Sequence, residues 1–252
     1  MLTRDKIKCL LLEARFDEAM IEHERACLAR AMGLVPEQIV PYSILDQPLP
    51  LGLESDYQAV IIGGTGDFSV VKDHPNFMGE LLAFIRHLYA LSFPTLGICY
   101  GHQVIAQALG ATVITQPHEK SETGTYEMHL TQEGRKDPLL ASFPPTFLAQ
   151  EGHHDAVVAA PENFVRLAYS ENCPWQAFHV EGHPIYGFQF HPELVREDLM
   201  LRIRNYSHVY ASTPEELERV LAAIKETDNQ SAMRRFIDLL VLPRGGCLAE
   251  KA

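Results

Sequence analysis

A cysteine framed by glycines, in Gly97-Ile98-Cys99-Tyr100-Gly101, sits where the apolar run Pro94-Thr95-Leu96-Gly97-Ile98 gives way to a helical pattern. A thiol on such a strand-to-helix turn points into accessible space. The unpaired amides of the helix's first turn surround it with positive potential, which favours thiolate. Downstream, Gln189-Phe190-His191-Pro192-Glu193 supplies an imidazole and, two residues on, a carboxylate. In extended or sharply turned backbone these two side chains point the same way. Cys99, His191 and Glu193 then have the chemistry of nucleophile, base and orienter. Taken singly, Cys99 reads as an inert strand-end cysteine and His191 as a turn histidine beside Pro192. The glycine frame and the pairing favour chemistry.

Several elements must position these groups. Apolar runs bounded by turn residues at 7–12, 38–45, 58–62 and 94–98 alternate with helix-period segments at 17–32, 77–92 and 101–109. That alternation predicts an α/β fold: an open, mostly parallel sheet with helices on both faces. From 111 to 190 the pattern changes to short strand candidates at 111–115, 125–131, 146–150, 164–169, 175–180 and 185–190, broken by Pro, Gly and Asn. These predict an antiparallel extension. Helices are expected at about 195–210, 213–227 and 229–241, the second opened by Ser212 or Thr213 before Pro214. Residues 243–252 are expected to lack order.

At 252 residues, 46% hydrophobic and 21% charged, the chain has the balance of a folded protein with one sizeable core. Its 21 Lys and Arg against 33 Asp and Glu give a net charge of −12, which argues against nucleic acid or anionic lipid as partners. The apolar run at 7–12 is cut short by Glu13 and Arg15 and reads as a first strand, not a signal peptide, and no run reaches membrane-spanning length. Five scattered cysteines (9, 27, 99, 173, 247) without a C-x-x-C pair suggest free thiols in a reducing cytoplasm. The histidines of His153-His154-Asp155 and His179-x-x-x-His183 could suggest a metal. The latter pair is interrupted by Gly182 and followed by Pro184, so it reads as a turn, and no metal or cofactor is expected.

The chain resembles the class I, triad-type glutamine amidotransferases, most of all GMP synthetase-type glutaminase domains and their stand-alone relatives. The likeness rests on G-x-C-x-G-x-Q at 97–103 and on His191-Pro192-Glu193. Ile61-Ile62-Gly63-Gly64-Thr65-Gly66-Asp67, Glu122-x-Gly124, His153-His154-Asp155-Ala156-Val157 and Gln176-Ala177-Phe178 match in the same order. The resemblance implies a flavodoxin-like catalytic domain over residues 1–200, with 201–252 as a C-terminal helical extension. It implies removal of ammonia from the glutamine side-chain amide through a γ-glutamyl thioester on Cys99. It further implies an oxyanion hole from the backbone amides of Gly64 and Tyr100, and substrate capture by Gly66, Gln103 and the backbone of His154-Asp155. The glycine loop follows Val60-Ile61-Ile62, at the carboxyl end of a strand where ligands gather in open sheets. It lacks G-x-G-x-x-G, and no G-x-x-x-x-G-K-[ST] occurs, so a nucleotide-phosphate reading is rejected.

Two departures from the family pattern stand on the substrate side. Thr65 lies between Gly64 and Gly66, and Gly152 stands where the family commonly has serine or asparagine before the histidine. Three readings follow: a glutamine amidotransferase-like hydrolase, free-standing or serving a separate synthase subunit; a γ-glutamyl peptidase acting on larger γ-glutamyl amides; and a non-catalytic regulatory relative. The S-G-G-x-D-S loop of GMP synthetases is absent. The C-terminal helices have three roles open to them: packing on the domain, forming a homodimer contact, or capping the site.

Overall fold

The computed structural model describes residues 2–246; the tail expected to lack order lies, from residue 247 on, outside the described residues. The predicted apolar runs become β1 (Cys9–Glu13), β2 (Ile39–Ser43), β3 (Ala59–Ile62) and β4 (Thr95–Ile98). Between and after them come α1 (Glu18–Met32), α2 (Met78–Ala90) and α3 (Tyr100–Ala108). The middle of the chain supplies β5 (Thr112–Thr115), β6 (Glu122–Leu130), β7 (Thr146–His153), β8 (Asp155–Ala159), β9 (Phe164–Tyr169), β10 (Ala177–Val180) and β11 (Ile185–Phe188). Helices α4 (Arg196–Asn205), α5 (Ser207–Tyr210), α6 (Pro214–Ala223) and α7 (Ser231–Phe236) follow.

Nine strands form one sheet in the order β2-β1-β3-β4-β11-β10-β9-β6-β7. The pairs from β2 to β11 are parallel and those from β11 to β7 antiparallel, giving the expected α/β sheet with an antiparallel extension. The strand candidate at 111–115 leaves this sheet, since β5 pairs with β8 in a separate antiparallel ribbon. That ribbon fixes Asp155 at the rim of the glycine loop.

Strand alternation sends side chains to two apolar layers. Cys9 and Leu11 of β1 pack with Leu28, Met32, Met233 and Phe236 of α1 and α7, whereas Leu10 and Leu12 pack with Leu81, Phe84 and Val104 of α2 and α3. Each fully buried Leu or Phe in these layers contributes roughly 1.5–3 kcal/mol of burial free energy. Helix α1 is capped by the Asp17 carboxylate, which accepts from the Ala19 amide at 2.9 Å, and it ends at Gly33 with φ 66°. Thr213 caps α6 through the Glu216 amide at 3.1 Å. The helix expected over 195–210 breaks at Tyr206, which has φ −103° and ψ 33°. A third apolar cluster of Cys27, Leu194, Leu199, Ile203, Leu221 and Ile224 ties α4 and α6 to α1.

Candidate active site

The turn between β4 and α3 is built by close approach. Cys99 takes φ 52° and ψ −103°, one of two non-glycine residues with positive φ among the described residues. Such a conformation costs about 1–3 kcal/mol and persists only where its surroundings enforce it. Its amide donates to the Phe188 carbonyl at 2.8 Å, carrying the β4–β11 ladder into the turn. The two framing glycines permit this fit. A β-carbon on Gly97 would strike the Gly101 backbone, and one on Gly101 would strike the Ile62 carbonyl.

His191 and Glu193 lie just past β11, and His191 Nδ1 is 2.8 Å from Glu193 Oε1. The carboxylate accepts, so Nδ1 carries the proton and Nε2 is left as the basic nitrogen. Burial opposes Glu193's ionisation more than any other influence. The His191 ring and the Arg202 guanidinium nevertheless hold its carboxyl below the usual range, with Arg202 Nη1 donating to Glu193 Oε1 at 3.2 Å. The His191 amide is anchored on the Gln150 carbonyl at 2.9 Å. His191 and Cys99 flank one residue: a β-carbon on Gly64 would lie 3.3 Å from His191 Cε1 and 3.8 Å from Cys99 Cβ.

The expected partial thiolate is not what the site holds at rest. Burial pushes the Cys99 thiol up to about 12, reinforced by the nearby carboxylates Glu151 and Glu193; Arg15 and the Tyr100 amide pull the other way and are outweighed. Sγ faces the Gly152 carbonyl at 3.8 Å, as a neutral thiol does. Position at a helix N-terminus favours thiolate, but desolvation of a sulfur whose residue is only 5% exposed decides the balance.

Of the two amides assigned to an oxyanion hole, that of Tyr100 faces the sulfur. The Gly64 amide instead donates to Glu24 Oε1 at 3.0 Å and is not presented to the site in this arrangement. Glu24 belongs to a buried charge network. Arg15 Nε donates to Glu24 Oε2 at 2.8 Å, and Arg202 Nη2 lies 3.8 Å from Glu24 Oε1. Burial and the neighbouring Glu24 raise Glu13 well above the usual carboxylate range, so the two guanidiniums balance Glu24 and Glu193. Nothing in the sequence of α1 marks Glu24 as a neighbour of the glycine loop.

Beside Cys99 lies a cavity of about 230 Å³, below the ~300–1,000 Å³ of drug-sized clefts. Gly66, Tyr100, Gln103, His154 and Asp155 line it as expected. Two of these have their side chains committed elsewhere. Asp155 Oδ2 accepts from Ser69 Oγ and Oδ1 from Thr115 Oγ1, each at 2.6 Å, and Gln103 Nε2 donates to the Asp155 carbonyl at 2.8 Å and to Gln189 Oε1 at 3.1 Å. They shape the wall and hold the loop after Gly66. That loop brings Asp67, Phe68, Lys72 and Asp73 to the cavity, and of these only Asp67 falls within a sequence motif. One ammonium and two carboxylates suit the carboxylate and ammonium of a free amino-acid head group.

The remaining histidines have protein partners. His179 Nδ1 meets Asp137 at 2.8 Å and His183 Nδ1 meets Ser92 at 2.9 Å, so this pair does not converge. Two triads of potential ligands occur among the described residues, His23–Cys27–Asp198 and Glu122–Glu151–His153. The first has Arg30 paired to Asp198 and Arg202 Nε at 3.5 Å from His23, cations that oppose a metal. In the second, Glu122 already accepts from Gln176 and Ser170, at 2.6 and 2.8 Å.

A cysteine on a strained strand-to-helix turn, facing a histidine–carboxylate pair across a glycine loop, defines a class of α/β proteins built for thiol chemistry. The family model for class-I glutamine amidotransferases matches residues 28–203, and the chain belongs to that family. It is 37% identical over 145 residues to a glutamine-hydrolyzing GMP synthase chain from Sulfurisphaera tokodaii, one component of a synthase made of separate subunits. That match covers 58% of this chain and 72% of that protein. The fold is shared with a glutamine amidotransferase from Thermotoga maritima (TM-score 0.66, 21% identity, 92% of this chain and 99% of that one). It is shared as well with one from Methylobacillus flagellatus (TM-score 0.69, 18% identity, 92% and 94%). Among the described residues no helix is long and apolar enough to cross a membrane.

Proposed function

We propose that the chain hydrolyses the side-chain amide of glutamine through a γ-glutamyl thioester on Cys99. The carrying observation is that Cys99 on its strained turn and the hydrogen-bonded His191–Glu193 pair flank the same residue, Gly64. Substrate enters the cavity beside Cys99, with its head group against Lys72, Asp67 and Asp73. His191 Nε2 takes the thiol proton as sulfur attacks the amide carbon, and the Tyr100 amide steadies the oxyanion. The C–N bond breaks as His191 returns that proton to nitrogen, and ammonia leaves. Water then loses a proton to His191 and attacks the thioester. The C–S bond breaks, glutamate departs and the proton returns to sulfur. Glu193 keeps the ring in the tautomer this cycle needs and stabilises its charged form.

Residues 1–200 act as the catalytic domain and 201–252 as an extension of it. Relatives named as one of the subunits of GMP synthase support a separate synthase chain as the recipient of the ammonia. The test is ammonia release from free glutamine by the purified chain, with Cys99→Ala as control. Cys99-dependent release supports the reading. Its absence, alone and with a synthase chain supplied, refutes it.

A further inference from the structure

The geometry points to Tyr206 and Tyr210 as the residues that limit the leaving group to ammonia, an inference that rests on the hydrolase reading above. Both lie beyond residue 203, where the family match ends. The amine expelled from the substrate must receive its proton from His191, so it must occupy the space beside that ring. The space there is a second, small cavity of about 20 Å³, with Arg15, His191, Arg202, Tyr206 and Tyr210 in its wall. A cavity needs roughly 10–15 Å³ to hold one water molecule, so this one takes a single ammonia or water and no alkyl substituent.

The two tyrosines make it small. Tyr206 lies against Gly66 so closely that a β-carbon there would overlap the ring, and its hydroxyl accepts from Arg15 Nη1 at 3.1 Å. The Tyr210 hydroxyl donates to the Gly152 carbonyl at 3.3 Å, the carbonyl that Cys99 Sγ also faces, and its ring stacks on His154 with centroids 6.2 Å apart. A β-carbon on Gly152 would come within 3.1 Å of that hydroxyl. Gly152 therefore does not open the site to a bulky amine. It makes room for Tyr210, which borders both the substrate cavity and the small one.

The experiment measures kcat and KM by glutamate release from glutamine, γ-glutamylmethylamide and γ-glutamylethylamide, for the wild type, Tyr206→Ala, Tyr210→Ala and Tyr210→Phe. In the wild type, each added carbon is expected to lower kcat/KM by about 10–200-fold, the usual discrimination of one carbon in a closed pocket. Either alanine variant should narrow the glutamine-to-ethylamide ratio by about tenfold or more, with an absolute gain on the ethylamide. Tyr210→Phe, which restores the ring, should restore the ratio. Comparable wild-type rates on all three amides overturn the inference while leaving the hydrolase reading intact. So do alanine variants that slow all three equally. No Cys99-dependent glutamate release from any of them overturns both.

Discussion

The protonation of Cys99 in the empty site can be tested directly by its alkylation as a function of pH. Burial lifts this thiol to about 12, whereas an unperturbed cysteine titrates near ~8.5. The difference, above three pH units, leaves more than about a thousandfold less thiolate at neutral pH. A more basic thiolate is intrinsically more nucleophilic, with a Brønsted slope of ~0.4–0.5, which returns roughly twenty- to fiftyfold. The net expectation is alkylation by iodoacetamide roughly 30–100-fold slower than for an exposed cysteine at pH 7.5, before any cost of access. The sign also fixes the profile: the neutral form is favoured, so the logarithm of the rate should climb with pH through 10 without a plateau. Peptide-level mass spectrometry assigns the modification, since Cys9, Cys27 and Cys173 are also free and buried. A plateau with an apparent pKa below about 8 would refute the reasoning, because it requires a resting thiolate paired with protonated His191.

Glu193→Gln keeps the shape of the His191 partner but loses its charge and favours the wrong tautomer; kcat should fall by about 10³–10⁴, and a loss under tenfold would reduce Glu193 to a structural part. Glu151 is buried with both oxygens unpartnered, and burial together with Glu122 holds its carboxyl well above the usual range. The folded chain thus keeps a proton that the unfolded chain releases above about pH 4.3, so this group costs stability as pH rises. Glu151→Gln should recover about 1–3 kcal/mol, at ~2–4 °C per kcal/mol, with a larger Tm gain at pH 8 than at pH 5; an equal gain at both would remove ionisation as the cause. Gly101→Ala, driven into the Ile62 carbonyl, should abolish activity or soluble expression. Gly79→Ala in α2, with open space around it, should raise stability by about 0.5–1 kcal/mol, and thermal melts of the two separate steric from general glycine effects.

What the sequence made legible was local. The Cys99 turn, the His191–Glu193 spacing, the alternation of strands and helices and the Thr213 cap are all short-range patterns, and each appears in the structure close to its expected place. What stayed hidden depends on residues brought together from distant parts of the chain. Glu24, on a helix legible only through its periodicity, takes the Gly64 amide across 40 positions. Arg202, one of several basic residues on α4, is buried against Glu193 and Glu24. The desolvation that keeps Cys99 neutral comes from the packing of the whole site, and no spacing encodes it.

Gly152 carries the sharper lesson. Seen alone, a glycine in place of a serine or asparagine reads as an opened pocket and weakens the case for glutamine over larger amides. Its meaning reverses once Tyr210, 58 positions away, is found in the space it vacates. A small residue at a site wall marks an opening only if nothing else fills the volume. Here the filler comes from the segment just past the family match. Specificity in this chain is thus set by helices that the shared motifs do not include, and relatives that keep Cys99, His191 and Glu193 but differ after residue 203 should differ in the amines they release.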